Sequence, residues 1–267
     1  MPAHPPLAEM LEFAEETARR AGALTLDLFQ SARLHIEAKA DGSPVTEADR
    51  RAERLIRERI GEYFPAHAIL GEEFGATGGA GGSPGTAPRH RWIIDPIDGT
   101  KSFVHGVPLY GVMLALEIDG TPSLGVLHFP VLNETVAAAT GLGCHFNGVR
   151  CHVDATADLS AATVLASGVN AFYRRAKQDA FATLLAHTKI FRTWGDCYGY
   201  ALVATGRAQI MLDAQLEVYD AAPMLPILAE AGGRFSDWQG RATAAGGDGI
   251  GTNGLLHEQV LALLAGG

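Results

Sequence analysis

Two aspartates three positions apart, Asp95 and Asp98, close an apolar run in R-W-I-I-D-P-I-D-G-T-K-S-F, residues 91–103. A strand ending in D-x-x-D-G-T sets two acids and a run of free backbone amides at one rim, where hard cations and a phosphate can be held together. Glu72 and Asp220 also stand at the ends of apolar runs. Magnesium takes octahedral oxygen ligands, and two cations bridged by carboxylates can activate a water on one side of a phosphorus and stabilise the leaving oxygen on the other. Each acid also has a plainer role open to it. Asp98-Gly99 makes an ordinary turn, Asp220 caps a helix, Glu72-Glu73 sits in a solvated loop, and Asp49, three residues after Thr46, closes a variant capping box.

The elements that position these acids follow from periodicity. Leu7, Leu11, Ala14, Ala18, Ala21, Thr25 and Leu28, at spacings of three and four, predict an amphipathic helix. A turn at Asp41-Gly42-Ser43-Pro44 precedes a second helix carrying Ala52, Leu55, Ile56, Ile60 and Tyr63, and the two helices pair over one face of a sheet. After an extended run at 67–70, residues 75–88 are almost all Gly, Ala, Thr, Ser and Pro, which predicts a mobile loop serving either as a lid or as plain surface. Strands at 109–118, 123–129 and 134–139, then a hairpin at 143–150 around Asn147-Gly148, form an antiparallel meander. Beyond Thr163 the texture alternates: strands at 163–167, 190–193, 208–213, 234–237 and 249–252, and helices at 172–188, 195–204, 219–231 and 255–264. Alternation of that kind implies an α/β layer sandwich for this half.

The 267 residues suffice for one large domain or two modest ones sharing a core. With 47% hydrophobic and 19% charged residues, the composition is that of an ordinary globular chain. A net charge of −9 argues against nucleic acid or an anionic membrane as partner and suits a site that collects cations. No basic patch interleaved with aromatics is present. Cys144, Cys151 and Cys197 form no C-x-x-C pair, so free thiols in a reducing cytoplasm are expected rather than a zinc site. Neither a signal peptide nor an apolar run of membrane-spanning length is evident, and a cytoplasmic location is expected.

Taken together, W-I-I-D-P-I-D-G-T-K-S-F, the upstream G-E-E and P-V-T-E-A-D, and the downstream Y-D-A-A-P resemble the signature of the inositol monophosphatase-like, magnesium-dependent, lithium-sensitive phosphatases. The order is the family's and the resemblance spans nearly the whole chain; Tyr219 stands where the family usually has tryptophan. The resemblance implies a layered αβαβα sandwich, with an α+β half over residues 1–150 and an α/β half over 151–267, and the site between them. It implies Glu72, Asp95, Asp98, Asp220 and the Ile97 carbonyl as ligands of two or three magnesium ions, with manganese as a substitute. Thr100 and Glu72 would orient and deprotonate the water, Gly99 and Thr100 would offer amides to phosphate, and Asp49 would support them. Lys39 would stand near the entrance, Lys101 is read as surface, and His105 is read as structural. A homodimer is implied as well.

The alcohol is chosen elsewhere. T-W-G-D-C-Y-G-Y-A-L-V-A-T-G-R-A followed by Q-I-M-L-D resembles the histidinol-phosphate phosphatase branch, which implies L-histidinol phosphate as substrate. Asp196 and Asp213, with Asp98 and Asp220, would then meet the leaving group, because an amine and an imidazole reward acids there. Asp196 could equally cap its helix, and Trp194 and Tyr198 are expected in the core rather than stacked on an imidazole. Inositol monophosphate, other sugar phosphates and adenosine bisphosphate are the rival substrates. A non-catalytic partner protein of this fold is the rival class.

Overall fold

Alternation along the strand Gly111–Ile118 decides how the layers stack. Val112, Leu114 and Leu116 join one buried cluster, Met113 and Ala115 another, and all five are buried. A strand buried on both faces lies between two layers. The computed structural model describes residues 5–32, 34–38, 42, 44–78 and 88–266.

The first half of the chain supplies helix α1 (Leu7–Leu26), a ribbon of β1 (Ile36–Ala38) and β2 (Pro44–Thr46), helix α2 (Glu47–Tyr63), and strands β3 (Ala68–Gly71), β4 (Gly75–Thr77) and β5 (His90–Asp98). Helix α3 (Thr100–Val104) leads into the meander β6 (Gly111–Ile118), β7 (Thr121–Phe129), β8 (Glu134–Ala139), β9 (Gly143–Phe146) and β10 (Val149–Arg150). Their order in the sheet is β10-β9-β8-β7-β6-β5-β3-β4, and only the β3–β5 pairing is parallel.

The second half runs β11 (Thr163–Leu165), α4 (Val169–Arg174), α5 (Gln178–Ala186), β12 (Ile190–Arg192), α6 (Asp196–Ala204), β13 (Ile210–Asp213), α7 (Val218–Ala221), α8 (Met224–Glu230), β14 (Arg234–Ser236), β15 (Gly249–Thr252) and α9 (His257–Ala265). The sheet order is β12-β11-β13-β15-β14, parallel across β12, β11 and β13 and antiparallel beyond.

Three buried clusters show the layering. Phe13, Ala14 and Ala18 of α1 and Ile56 and Ile60 of α2 pack on Trp92, Ile94, Leu114 and Val126. The opposite face of that sheet, through Ile93, Met113, Leu127 and Phe129, packs on α6 and α8, which also touch Leu165, Met211 and Phe235 of the second sheet. The far side of the second sheet, through Val164, Ile210 and Ile250, is covered by Phe172, Phe181 and Val260 of α4, α5 and α9. Helix, sheet, helix, sheet, helix is the expected αβαβα sandwich. No helix among the described residues is long and apolar enough to cross a membrane.

The capping box at α2 is present: the Thr46 side chain accepts from the Ala48 N–H at 3.1 Å, and Asp49 accepts from the Thr46 N–H at 2.8 Å. Two predicted helices are instead broken. Residues 172–188 split into α4 and α5 around Ala176, which has φ +54°. Nothing in R-R-A-K-Q signals the break. Its cause is tertiary: the Lys177 ammonium lies 3.9 Å from the centre of the Trp238 ring and pairs with Asp248. Residues 219–231 split at Ala222-Pro223, where proline cannot donate to a continuing helix. The loop expected from residue 75 starts later, because Gly75–Thr77 pairs with β3 and the Arg57 guanidinium binds the Gly75 carbonyl and the Thr77 hydroxyl. Residues 79–87 lie outside the described residues, as do Lys39, Asp41 and Ser43.

Candidate active site

A single extra residue in β5 turns both aspartates to one side. Asp95 pairs with Met113 and Asp98 with Gly111, so three steps on β5 match two on β6. Strict alternation would put residues 95 and 98 on opposite faces; the bulge cancels it. Asp95, Asp98 and Asp220 each offer an oxygen, and these oxygens lie within 4.8 Å of one another. The Asp95 carboxylate also accepts the Ile97 N–H at 3.0 Å, and the Thr100 hydroxyl donates to the Ile97 carbonyl at 3.0 Å. Gly99, at φ +79°, provides the left-handed step into α3; a Cβ there would come within 3.0 Å of the Asp196 carboxylate.

Asp220 enters from the other half of the chain at the third position of α7, accepting the Glu217 N–H at 2.8 Å in a reciprocal capping box. The capping role and a place in the acidic trio therefore coexist in one side chain. Asp98 accepts the N–H of Cys197 in the first turn of α6. Glu72 is not one of the trio, but its charge reaches Asp95 and helps to raise that carboxyl. The turn that carries Glu72 is held by Glu53, a fully buried side chain of α2 that accepts the Glu73 N–H at 2.7 Å and the Phe74 N–H at 3.3 Å. Asp49 is buried, and its Oδ1 has no hydrogen-bond partner among the described residues.

A cavity of about 860 Å³ opens beside the trio, lined by Asp98, Asp220, Asp196, Asp213, Ser167 and Tyr200 among others. Asp213, at the end of β13, accepts the Tyr200 hydroxyl at 3.0 Å and the Ser167 N–H at 3.4 Å. The Ser167 hydroxyl accepts the Asp196 N–H at 2.8 Å, so one serine joins the two predicted substrate acids. Asp196 makes no capping bond; it is the first helical residue, with φ +53°, and Gly195 precedes it as the cap. Lys101 is exposed, as expected, yet it lines the cavity and its charge reaches Asp196. Tyr198 packs edge-on against Phe129 at 5.1 Å, but Trp194 is 47% exposed and does not join the core. The His105 ring contacts the Lys101 carbonyl at 2.9 Å and does not line the cavity. Glu53, Ser167 and Tyr200 were not singled out by sequence; the small-residue step Ser167-Gly168 after a strand was the one usable signal.

The donor chemistry fits a hard cation: carboxylates and a carbonyl, with no histidine among the described residues that line the cavity. Burial, then the charges of Glu72, Asp98 and Asp220, pushes the Asp95 carboxyl well above its ordinary range. Burial, then Asp196 and Asp220, does the same to Asp98. Asp220 is raised to about 7, mainly by burial. An unneutralised cluster of this kind repels itself, and cations relieve the repulsion.

Asp213 is raised to about 7 and Asp49 to about 6, burial being the first cause in both. A carboxyl raised on folding contributes stability that is complete below its unfolded value, near 3.8, and is lost as pH climbs through its folded value. In EDTA the unfolding midpoint is therefore expected to fall by several degrees between about pH 5 and about pH 8. Added magnesium is expected to restore more at the alkaline end, where it need not displace protons. Differential scanning fluorimetry across that range measures both effects, and a flat metal-free profile would count against buried, unneutralised acids.

Comparison with known proteins places this geometry in context. A model of the inositol monophosphatase family matches residues 6–266. The chain is 42% identical to a histidinol-phosphatase of Chlorobaculum parvum over 258 residues, covering 96% of this chain and 97% of that one. It is 38% identical to a histidinol-phosphatase of Mycobacterium tuberculosis, covering 96% and 98%. Among solved structures, the IMPase of Thermotoga maritima superimposes with a TM-score of 0.83 at 31% identity, covering 97% of each chain.

Proposed function

Because the chain belongs to the inositol monophosphatase family, we propose that it is a magnesium-dependent phosphatase of small phosphate monoesters whose preferred substrate is L-histidinol phosphate. The observation that carries this reading is the joining of two chemistries in one cavity. Asp98 and Asp220, two of the three carboxylates whose oxygens lie within 4.8 Å of one another, line the cavity together with the linked acids Asp196 and Asp213.

In this reading Asp95, Asp98, Asp220, Glu72 and the Ile97 carbonyl hold two or three magnesium ions, replaceable by manganese. Bound there, the ions supply positive charge that neutralises the phosphate and lowers the pKa of water. The Thr100 hydroxyl gives its proton to the Ile97 carbonyl, leaving its lone pairs to accept a hydrogen bond from the attacking water. Glu72 would accept that water's other proton, first in a hydrogen bond and then as general base. The like charge of Asp49, close enough to feel Glu72 and Glu73, would repel the Glu72 carboxylate and favour its taking the proton. The Gly99 and Thr100 amides would donate to the phosphate oxygens. In this reading no side chain becomes phosphorylated, and the Cys197 thiol, which lines the cavity, is buried and pushed well above its ordinary pKa by that burial.

Asp196 and Asp213 favour a cationic leaving group, since a substrate amine would neutralise acids that burial has raised. Neutral donors and acceptors at Ser167 and Tyr200 favour the second reading, a polyol phosphate such as inositol monophosphate, which fits the likeness to the Thermotoga IMPase. A phosphate-release panel decides between them. Histidinol phosphate is expected to exceed inositol 1-phosphate in kcat/KM by about 100-fold or more, and Asp213→Asn to narrow that gap. Equal or reversed preference would replace the first reading by the second. Light scattering tests the homodimer implied by family likeness, expected at about twice the 28.2 kDa chain mass.

A further inference from the structure

Two of the three cysteines face one another across a hairpin away from the cavity. Asn147 (φ 48°) and Gly148 (φ 77°) make a tight two-residue turn, and this fixes the register Phe146 to Val149 and His145 to Arg150. The next pair is Cys144 and Cys151, with the Cys151 N–H donating to the Cys144 carbonyl at 2.9 Å. Hydrogen-bonded partners in an antiparallel ladder lie about 5.5 Å apart at Cα, which falls inside the range that a disulfide spans. The sulfurs are already in hydrogen-bonding contact at 3.5 Å.

The two thiols are chemically unequal. Cys144 is fully buried in the layer between the sheets, whereas Cys151 is partly exposed. The hydrogen bond with Cys144, then the charges of Arg150 and Arg207, hold the Cys151 thiol below its ordinary value. The same contact and burial push Cys144 up. An accessible sulfur that ionises early, beside a protonated one within reach, is the arrangement of an attacking and a resolving thiol. A buried pair of small apolar side chains would need neither the exposure of Cys151 nor the flanking arginines.

We propose that Cys144 and Cys151 form a modification site: a dithiol that closes to an intramolecular disulfide when met by peroxide and reopens with thiol reductant. In the first step the Cys151 thiolate attacks one peroxide oxygen, the O–O bond breaks, and hydroxide leaves, giving a sulfenic acid. The Cys144 sulfur then attacks the Cys151 sulfur, the S–O bond breaks, and the departing hydroxide takes up the Cys144 proton as water. The two thiols lose two electrons to the peroxide, and two waters form overall. Closure locks the short edge strand β10 to β9, whose neighbouring Gly143 and Gly141 amides are bonded to Glu230 of α8 at 2.7 and 2.8 Å. Neither cysteine lines the cavity, so turnover is expected to stay within about twofold while the unfolding midpoint rises by several degrees.

The test treats the folded, magnesium-loaded protein with increasing hydrogen peroxide, followed by alkylation of the remaining thiols and mass spectrometry. The expected result is a loss of about 2 Da, mapped to a Cys144–Cys151 peptide pair and reversed by dithiothreitol. Cys144→Ser and Cys151→Ser should each remove it, and Cys197→Ser should leave it intact. Unmodified melting of the serine variants guards against misfolding. Retention of all three thiols, accumulation of Cys151 sulfinic acid in the wild type, or cross-linking between chains would each overturn the proposal.

Discussion

Asp95→Asn is expected to lower kcat/KM by about 1,000-fold or more while making the metal-free protein harder to unfold. Both effects come from the same charge. Burial, then the charges of Glu72, Asp98 and Asp220, raise the Asp95 carboxyl, so its ionised form is disfavoured when no cation is present. Asparagine keeps the shape and an acceptor for the Ile97 N–H, but removes the repulsion. The melting midpoint in EDTA should therefore rise by a few degrees, and the midpoint gain on adding magnesium should shrink. Turnover and melting with and without magnesium check the pair of effects. Retained activity would remove Asp95 from the cation-holding set; a falling midpoint in EDTA would show that shape rather than charge governs the position. A site that costs stability so that it can function is a recurrent trade.

Gly125→Ala is expected to destabilise the fold by about 1–3 kcal/mol or more, because the added methyl meets backbone rather than a movable side chain. Gly125 sits in β7 between Ala115 of β6 and Ala138 of β8, a row of small side chains that lets the α7–α8 junction come close. A Cβ at Gly125 would lie 2.4 Å from the Pro223 carbonyl oxygen and 3.0 Å from two further Pro223 backbone atoms. The junction cannot rotate away, so it must shift, and Asp220 lies just before it. Activity measured well below the melting point should therefore drop along with the urea midpoint. An unchanged midpoint would mean that the junction yields at little cost.

The two leading helices were readable because one buried face writes a helical period into the chain, as Leu11, Ala14, Ala18 and Ala21 illustrate, and the meander because apolar runs such as Val112 to Leu116 are cut by turn residues. The acids at 95, 98 and 220 were readable because carboxylates at the ends of apolar runs are unusual. What escaped were ordinary residues acting at long range. Glu53 and Arg57 look like a solvated pair four apart on a helix, yet Glu53 is fully buried and holds the turn that carries Glu72. Ser167 and Tyr200 gain meaning only once β11, α6 and β13 converge on Asp213. The break at Ala176 leaves no local trace because Trp238 and Asp248, far along the chain, impose it. Pro223 was a visible signal, but proline is tolerated at a helix start, so the apolar pattern reads straight through it.

Helices α6 and α8 of the middle layer come from the second half of the chain, and they cover Ile93, Met113, Leu127 and Phe129 of the first. During synthesis the eight-stranded sheet, complete at Arg150, therefore emerges with that apolar face bare until the chain has been made through α8, which ends at Glu230. The nascent chain carries a sticky surface for that interval, and a fragment ending near residue 150 would carry it permanently. Chaperone dependence and aggregation of such fragments are the cost of sharing one layer between two sheets.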